Sequence, residues 1–180
     1  PESTPLTKVN GVKHYGAEVI LAGTNYDEAY AYAKSYGEKN SLTFVHPFED
    51  DEVMAGQGTL ALDILDGCMD LDAVVIPVGG GGLISGMACA FKSINPKIEV
   101  IGVSAKGAPA LKNSFDLKTP VDSLSVRTIA DGIAVRDTSP RAMKKSVQTL
   151  TRQAVRRAAG NYIICGLHGT SVPAATREII

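Results

Sequence analysis

Tryptophan is absent, and aromatic residues make up only 6% of the 180 residues. Cysteine is scarce too. Cys68, Cys89 and Cys165 are odd in number and far apart, and they form neither a CxxC pair nor a metal-ligand cluster. A disulfide framework is therefore not expected, and a reducing, cytoplasmic setting is the simplest reading. No signal-peptide pattern opens the chain, whose first residues, Pro1-Glu-Ser-Thr-Pro5, are polar. One uncharged run, Ala73 to Phe91, is long enough to suggest a membrane span. It carries Pro77 and five glycines, so no stable spanning helix is expected and no membrane partner either.

What remains is an ordinary globular composition: 44% apolar, 21% charged, net charge −1. The charge is unevenly placed. Residues 1–140 carry 11 basic and 18 acidic side chains, a net of −7; residues 141–180 carry 7 and 1, a net of +6. The join near Pro140 marks a change of character. The basic stretch lacks interleaved aromatics, so a solvated face or disorder is expected of it rather than a nucleic-acid partner.

The patterning alternates helix and strand. Pro5 to Tyr15 reads as a helix capped by Thr4 or Ser3, and Ala17 to Ala22 as a short buried strand. Thr24-Asn25 would cap a helix from Tyr26 to Tyr36, stopped by Gly37. Leu42 to Val45 reads as a strand ended by Pro47. Glu49 to Glu52 lead into a helix reaching about Leu65, acidic charge at a helix start being favoured by the dipole. Ala73-Val-Val-Ile76 and Ile98 to Val103 are the strongest strand signals, separated by a helix from Leu83 to Ser93. Strands separated by single helices predict an α/β fold with mostly parallel sheets and flanking helices, the last two strands being parallel neighbours or near neighbours. Residues 104–140 read as less regular, with Gly107, Pro109, Pro120 and Gly132 as breakers.

The chemistry concentrates at Val74-Val-Ile-Pro-Val-Gly-Gly-Gly-Gly-Leu-Ile-Ser-Gly86. A buried strand delivers the chain to four glycines, and a helix follows at once. Glycine permits unusual dihedrals and close ligand approach, and the free amides of loop and helix start can converge on one anion. A plain turn would need no such run of glycines, which costs conformational entropy. The two common nucleotide motifs are absent. Leu83-Ile84 stands where a P-loop needs Lys-Ser/Thr, and Ile84 and Ser85 occupy the third position of any G-x-G-x-x-G.

The segment Pro77-Val-Gly-Gly-Gly-Gly-Leu-Ile-Ser-Gly86 resembles the tetraglycine loop of threonine dehydratases and serine racemases, fold-type II pyridoxal-phosphate enzymes of tryptophan synthase β-like fold. Tyr15-Gly-Ala-Glu-Val, Asn25-Tyr-Asp-Glu-Ala, Phe44-Val-His-Pro-Phe, Ala55-Gly-Gln-Gly-Thr and Ile129-Ala-Asp-Gly-Ile are similar to further family segments, in family order. The resemblance spans residues 1 to about 140. It implies residues 1–50 in the small domain, 51–140 in the large cofactor-binding domain, and 141–180 as an unmatched basic tail. It implies pyridoxal 5'-phosphate as cofactor, with Gly79, Gly80, Gly81, Gly82 and Leu83 holding its phosphate through backbone amides and Gly132 beside its ring. The implied reaction converts L-threonine to 2-oxobutanoate and ammonia by β-elimination, in amino-acid metabolism such as isoleucine biosynthesis.

Two departures qualify this. The family's Ser-Phe-Lys-x-Arg-Gly-Ala segment, whose lysine holds the cofactor as a Schiff base, has no counterpart, and neither has its Ser-x-Gly-Asn-His segment. The chain is thus expected to be an incomplete piece, inactive alone, with no catalytic residue of its own and a homo-oligomer only at full length. A serine racemase or serine dehydratase is the alternative, or a non-catalytic anion-binding module. Some serine racemase relatives carry a metal site with a Glu just after the strand ending at Val103; Ser104 stands there, so no metal is expected. His46, before Pro47, is read as structural rather than as a general base.

Overall fold

The computed structural model describes residues 1–124, 126–138 and 140. The chain divides into two compact units, Pro1–Val45 and His46–Ile180. Residues 46–50 fall within the second of these units. The basic stretch 141–180 lies outside the described residues.

The first unit holds two helices, α1 (Leu6–His14) and α2 (Tyr26–Lys39). Neither Thr4 nor Ser3 caps α1. Pro5 takes the N-cap position at φ −54°, ψ 133°, with no side-chain cap bond. The Thr4 amide turns back to the Pro1 carbonyl instead. The start of α2 follows the sequence signal. Asn25 Oδ1 accepts the Glu28 amide at 3.0 Å, and the Glu28 carboxylate accepts the Thr24 amide at 2.8 Å and its hydroxyl at 3.0 Å. The Thr24 bonds, the backbone one foremost, hold the Glu28 carboxyl below the usual carboxylate range. Gly37 does not stop the helix. It is buried within α2 because the returning chain crosses it, the Leu42 amide bonding the Gly37 carbonyl at 2.9 Å. The turn is made three residues later at Asn40 and Ser41, the latter at φ 55°. Residues 17–22 and 42–45, expected as strands, have no ladder among the described residues. Apolar residues alone do not make a strand; a hydrogen-bonded neighbour does.

The second unit contains α3 (Asp51–Gly67), β1 (Ala73–Pro77), α4 (Gly82–Ile94), β2 (Glu99–Val103), α5 (Ala110–Leu117) and a 3-10 turn at Asp131–Ile133. Asp50 caps α3, its Oδ1 accepting the Glu52 and Val53 amides at 2.8 and 3.3 Å. Asp51 and Glu52 add negative charge at the positive end of the helix dipole. β1 and β2 pair in parallel, Ala73 opposite Glu99 and Pro77 opposite Val103, as the strand–helix–strand pattern requires. The ladder runs one bond further, from the Val78 amide to the Val103 carbonyl at 2.9 Å. Lys92 ties the end of α4 to the β2 approach, its Nζ donating to the Pro96 and Ile98 carbonyls.

The core forms where α4 packs on β1 and α3 packs on α4. Ile76, Val78, Ile84, Met87, Ala88, Phe91, Ile98 and Val100 are buried together with Ala61 of α3. Truncating Phe91 to alanine there would cost about 3–5 kcal/mol. The helices meet backbone to backbone. A Cβ on Gly86 would overlap the Met54 carbonyl oxygen and stand 2.8 Å from the Gly58 amide nitrogen. α5 arises in the stretch expected to be irregular. Asn113, Ser114 and Asp116 are modest helix formers, so burial of Ala110, Leu111 and Ser114 decides the conformation.

Candidate functional site

The site lies where β1 ends. β1 and Val78 bring the chain to Gly79–Gly82, and α4 begins at Gly82. Gly80, Gly81 and Gly82 are buried. Gly81 is the N-cap of α4 at φ 96°, ψ −4°, a left-handed conformation that glycine adopts without steric cost. The Gly81 carbonyl accepts the Ser85 amide at 3.0 Å, which starts the helix. The amides of Gly79 through Ile84 have no protein acceptor among the described residues. A run of unfilled donors at the positive end of a helix, most of them on buried residues, is suited to an anion, since buried amides otherwise find partners.

Two walls define the loop. A Cβ on Gly79 would lie 2.9 Å from Ile133 Cα and 3.2 Å from the Val135 side chain. A Cβ on Gly80 would lie 2.5 Å from the Phe48 ring, and one on Gly82 2.9 Å from Phe48 Cα and Cβ. Gly132 belongs to the first wall, next to Ile133 in the 3-10 turn. It is exposed, and a Cβ there would meet nothing within 4 Å.

The Ile133 wall is held at its roots. The buried Ser114 hydroxyl reaches the Ala110 and Val121 carbonyls and Thr138 Oγ1 at 2.8–3.1 Å, and accepts the Val121 amide at 2.9 Å. The Ser123 amide bonds the Arg136 carbonyl, and the Arg127 amide bonds the Gly107 carbonyl. The segment 121–138 is thereby closed at both ends, with the 3-10 turn carried against Gly79.

The Phe48 wall rests on His46. Its Nδ1 accepts the Phe48 and Glu49 amides at 3.2 and 3.0 Å, and its ring meets the Phe48 ring edge-on at 4.7 Å. Nε2 stands 3.5 Å from the Glu49 carboxylate. Burial lowers the His46 pKa, with Glu49 and Asp50 pulling the other way. A neutral ring with its proton on Nε2 fits these partners. His46 is thus a turn cap in contact with the loop's wall, a role that periodicity and spacing did not reveal. Phe48 was likewise missed, since nothing in an isolated Pro-Phe pair points to Gly80.

The residues present suit a phosphate group. The donors are backbone amides on glycines, one in the left-handed region, at a helix start. A phosphate carries the charge and acceptor oxygens that such donors satisfy. No group of three acidic, histidine or cysteine side chains placed to hold a metal occurs among the described residues. Ser104 follows β2 with a buried hydroxyl that has no partner there. No described helix is long and apolar enough to cross a membrane.

Comparison with known proteins agrees with this geometry. The family model for pyridoxal-phosphate dependent enzymes matches residues 1–172. The chain belongs to this family. Its match therefore runs beyond Pro140, where the resemblance read from the sequence ended. A catabolic L-threonine dehydratase of Staphylococcus aureus is 46% identical over 136 residues, covering 76% of this chain and 39% of that protein. An L-threonine ammonia-lyase of Geobacter sulfurreducens is 46% identical over the same length, covering 76% of this chain and 34% of that protein. Among solved structures, the processed form of threonine deaminase isoform 2 from Solanum lycopersicum superposes with a TM-score of 0.80 at 37% identity, over 88% of this chain and 46% of that one. Maize serine racemase gives 0.76 at 30% identity, over 87% and 47%. The chain thus spans about a third to two fifths of these curated relatives and about half of the solved ones. The fold is that of the family's fold-type II enzymes, and the family is one of ammonia-lyases and related enzymes that use pyridoxal phosphate.

Proposed function

We propose that this chain supplies the phosphate cradle of a pyridoxal-phosphate dependent threonine dehydratase, whose complete form converts L-threonine to 2-oxobutanoate and ammonia. The observation that carries the reading is the run of unfilled amides from Gly79 to Ile84 on a loop whose Gly81 is left-handed. The curated relatives at 46% identity are threonine-directed, which supports threonine; among solved structures the threonine deaminases at 37% and 32% and the serine racemases at 30% and 32% do not separate the two substrates. Gly79, Gly80, Gly81, Gly82 and Leu83 present the donors. Gly132 lies on the Ile133 wall, suited to the ring side of the cofactor because nothing fills the space beside it.

The bound cofactor would serve as the electron sink that makes α-proton loss and β-hydroxyl departure feasible. This chain's own part is binding and orientation. Its amides fix the phosphate by charge-assisted bonds, and the two walls close the loop's flanks. No lysine of the chain stands in the family's Ser-Phe-Lys context, so the chain alone is expected not to turn over threonine. The complete protein is proposed to act in the cytoplasm as a homo-oligomer, on a small amino acid and on neither nucleic acid nor membrane.

The test compares the chain with a version extended at its amino terminus by the family's lysine segment. 2-Oxobutanoate should form from threonine only with the extended protein. Turnover by the chain alone, or none by the extended protein loaded with cofactor, would overturn the proposal. Faster ammonia release from serine would select the serine dehydratase reading; isomerisation of serine would select the racemase.

A further inference from the structure

We propose that His46 is a positioning residue for the phosphate cradle. By accepting the Phe48 and Glu49 amides at Nδ1, it seats the Phe48 ring against Gly80 and the Phe48 backbone against Gly82. The inference rests on the reading of Gly79–Leu83 as a phosphate site.

Four consecutive glycines have many accessible conformations, and a site made of their amides binds well only if something restricts them first. The contacts show what restricts this loop. On one side Ile133 stands where a Gly79 side chain would be; on the other, Phe48 stands where side chains of Gly80 and Gly82 would be. Phe48 lies in a non-helical turn between Val45 and Asp51, so its placement depends on what fixes that turn. His46 does so twice over. Its Nδ1 gathers two successive amides, and its ring lies edge-on, 85° from the plane of the Phe48 ring. Pro47, between them, fixes its own φ and narrows the turn further. Glu49, 3.5 Å from Nε2, favours the tautomer that leaves Nδ1 free to accept. Two residues of the turn thus hold a third against two of the four glycines.

A histidine that merely stabilised the fold would affect unfolding but not affinity per folded molecule. The essential feature here is an acceptor at the Nδ1 position. Asparagine reproduces that acceptor with Oδ1; alanine removes it. The test titrates the ¹⁵N-labelled chain with pyridoxal phosphate and with inorganic phosphate, following the amide signals of Gly79–Leu83, with phosphate-free pyridoxal as control. His46→Ala should weaken both phosphate ligands about tenfold, the scale on which lost preorganisation is felt. His46→Asn should stay within about twofold of the parent, because its Oδ1 offers an acceptor in place of Nδ1. Phe48→Leu, which keeps the capped turn but removes the ring, should also weaken binding, and it decides the matter if His46→Ala does not fold. Equal affinity of parent and His46→Ala, or of parent and Phe48→Leu, overturns the proposal. So does an Asn variant as weak as the Ala variant. If the parent's glycine amides respond to neither phosphate ligand, the cradle reading itself fails and the inference falls with it. A parent that binds beside variants that bind equally well leaves the cradle standing and removes only His46.

Discussion

Two places in the second unit depend on glycine, for opposite reasons. At the loop Gly79–Gly82 the missing side chains leave amides bare and unfilled. At the crossing of α3 and α4, Gly58 and Gly86, both inside their helices, let two backbones touch. The first arrangement leaves donors without protein partners among the described residues. The second removes atoms so that a core can close. Gly82 begins the helix that Gly86 packs, so both depend on the placement of α4, and substitutions can separate them.

The largest effect is expected at the crossing. Gly86→Ala puts a methyl onto the Met54 carbonyl oxygen and 2.8 Å from the Gly58 nitrogen, both backbone atoms that can yield only if the helices part. A loss of about 3 kcal/mol in urea unfolding is expected, with phosphate affinity per folded molecule little changed. If Gly86→Ala were neutral in stability, the two helices would not be in backbone contact.

Gly81→Val should show the reverse balance. A β-branched residue at φ 96° is strained by roughly 1–2 kcal/mol, and the accommodating change in backbone would misdirect the amides. Calorimetry with pyridoxal phosphate should then record a loss of tenfold or more, about 1.4 kcal/mol. Binding equal to the parent's would show that the loop is a turn like any other. At Gly80 the same substitution would act differently: the structure places no left-handed φ there, only the Phe48 ring.

Ser114→Ala sharpens the comparison from the far wall. It strips the Val121 amide and the Thr138 hydroxyl of a buried partner, at a cost of about 1–3 kcal/mol. Amide exchange in residues 121–138 should quicken, and if the Ile133 wall shapes the cradle, phosphate affinity should fall with it.

A smaller effect is expected from pH. His46 has a lowered pKa in the folded chain, desolvation outweighing Glu49 and Asp50. The unfolded chain then binds the proton more readily, so the stabilisation is fully present above the unfolded value of about 6.5. It is lost as pH falls through the lower folded value. Unfolding followed across pH 7.5 to 5 should show this slope in the parent and not in His46→Asn. A slope of opposite sign would mean that Glu49 dominates and that Nδ1 is protonated.

The smallest effect belongs to Gly132→Ala, where a Cβ meets nothing within 4 Å. Stability should change by no more than about 0.5 kcal/mol. A larger side chain, Gly132→Leu, should still fold but weaken pyridoxal phosphate more than inorganic phosphate if the cofactor ring lies on that side.

The sequence by itself determined the parallel strand pair, the helix between it and the glycine loop. β-branched runs at Ala73–Ile76 and Ile98–Val103 and an intervening helix leave little topological choice, and four consecutive glycines after a buried strand signal anion chemistry without coordinates. Asn25 was legible as a helix cap because a cap is a local bond, and the acidic run Glu49 to Glu52 marked the start of α3, although which of its residues caps the helix was not legible. Other features were decided only in three dimensions. Leu42–Val45 has a strand's composition but no ladder among the described residues, because pairing depends on a neighbour that composition does not supply. Gly37 continues α2 because the chain folds back over it, and α5 exists because Ala110, Leu111 and Ser114 are buried. The partners of the glycines came from distant positions: Phe48, thirty-two residues before Gly80, and Ile133, fifty-four after Gly79. Their residue types carry no mark of that role. Local bonds and periodicity are written along the chain, whereas the walls of a site are set by which segments the core brings together.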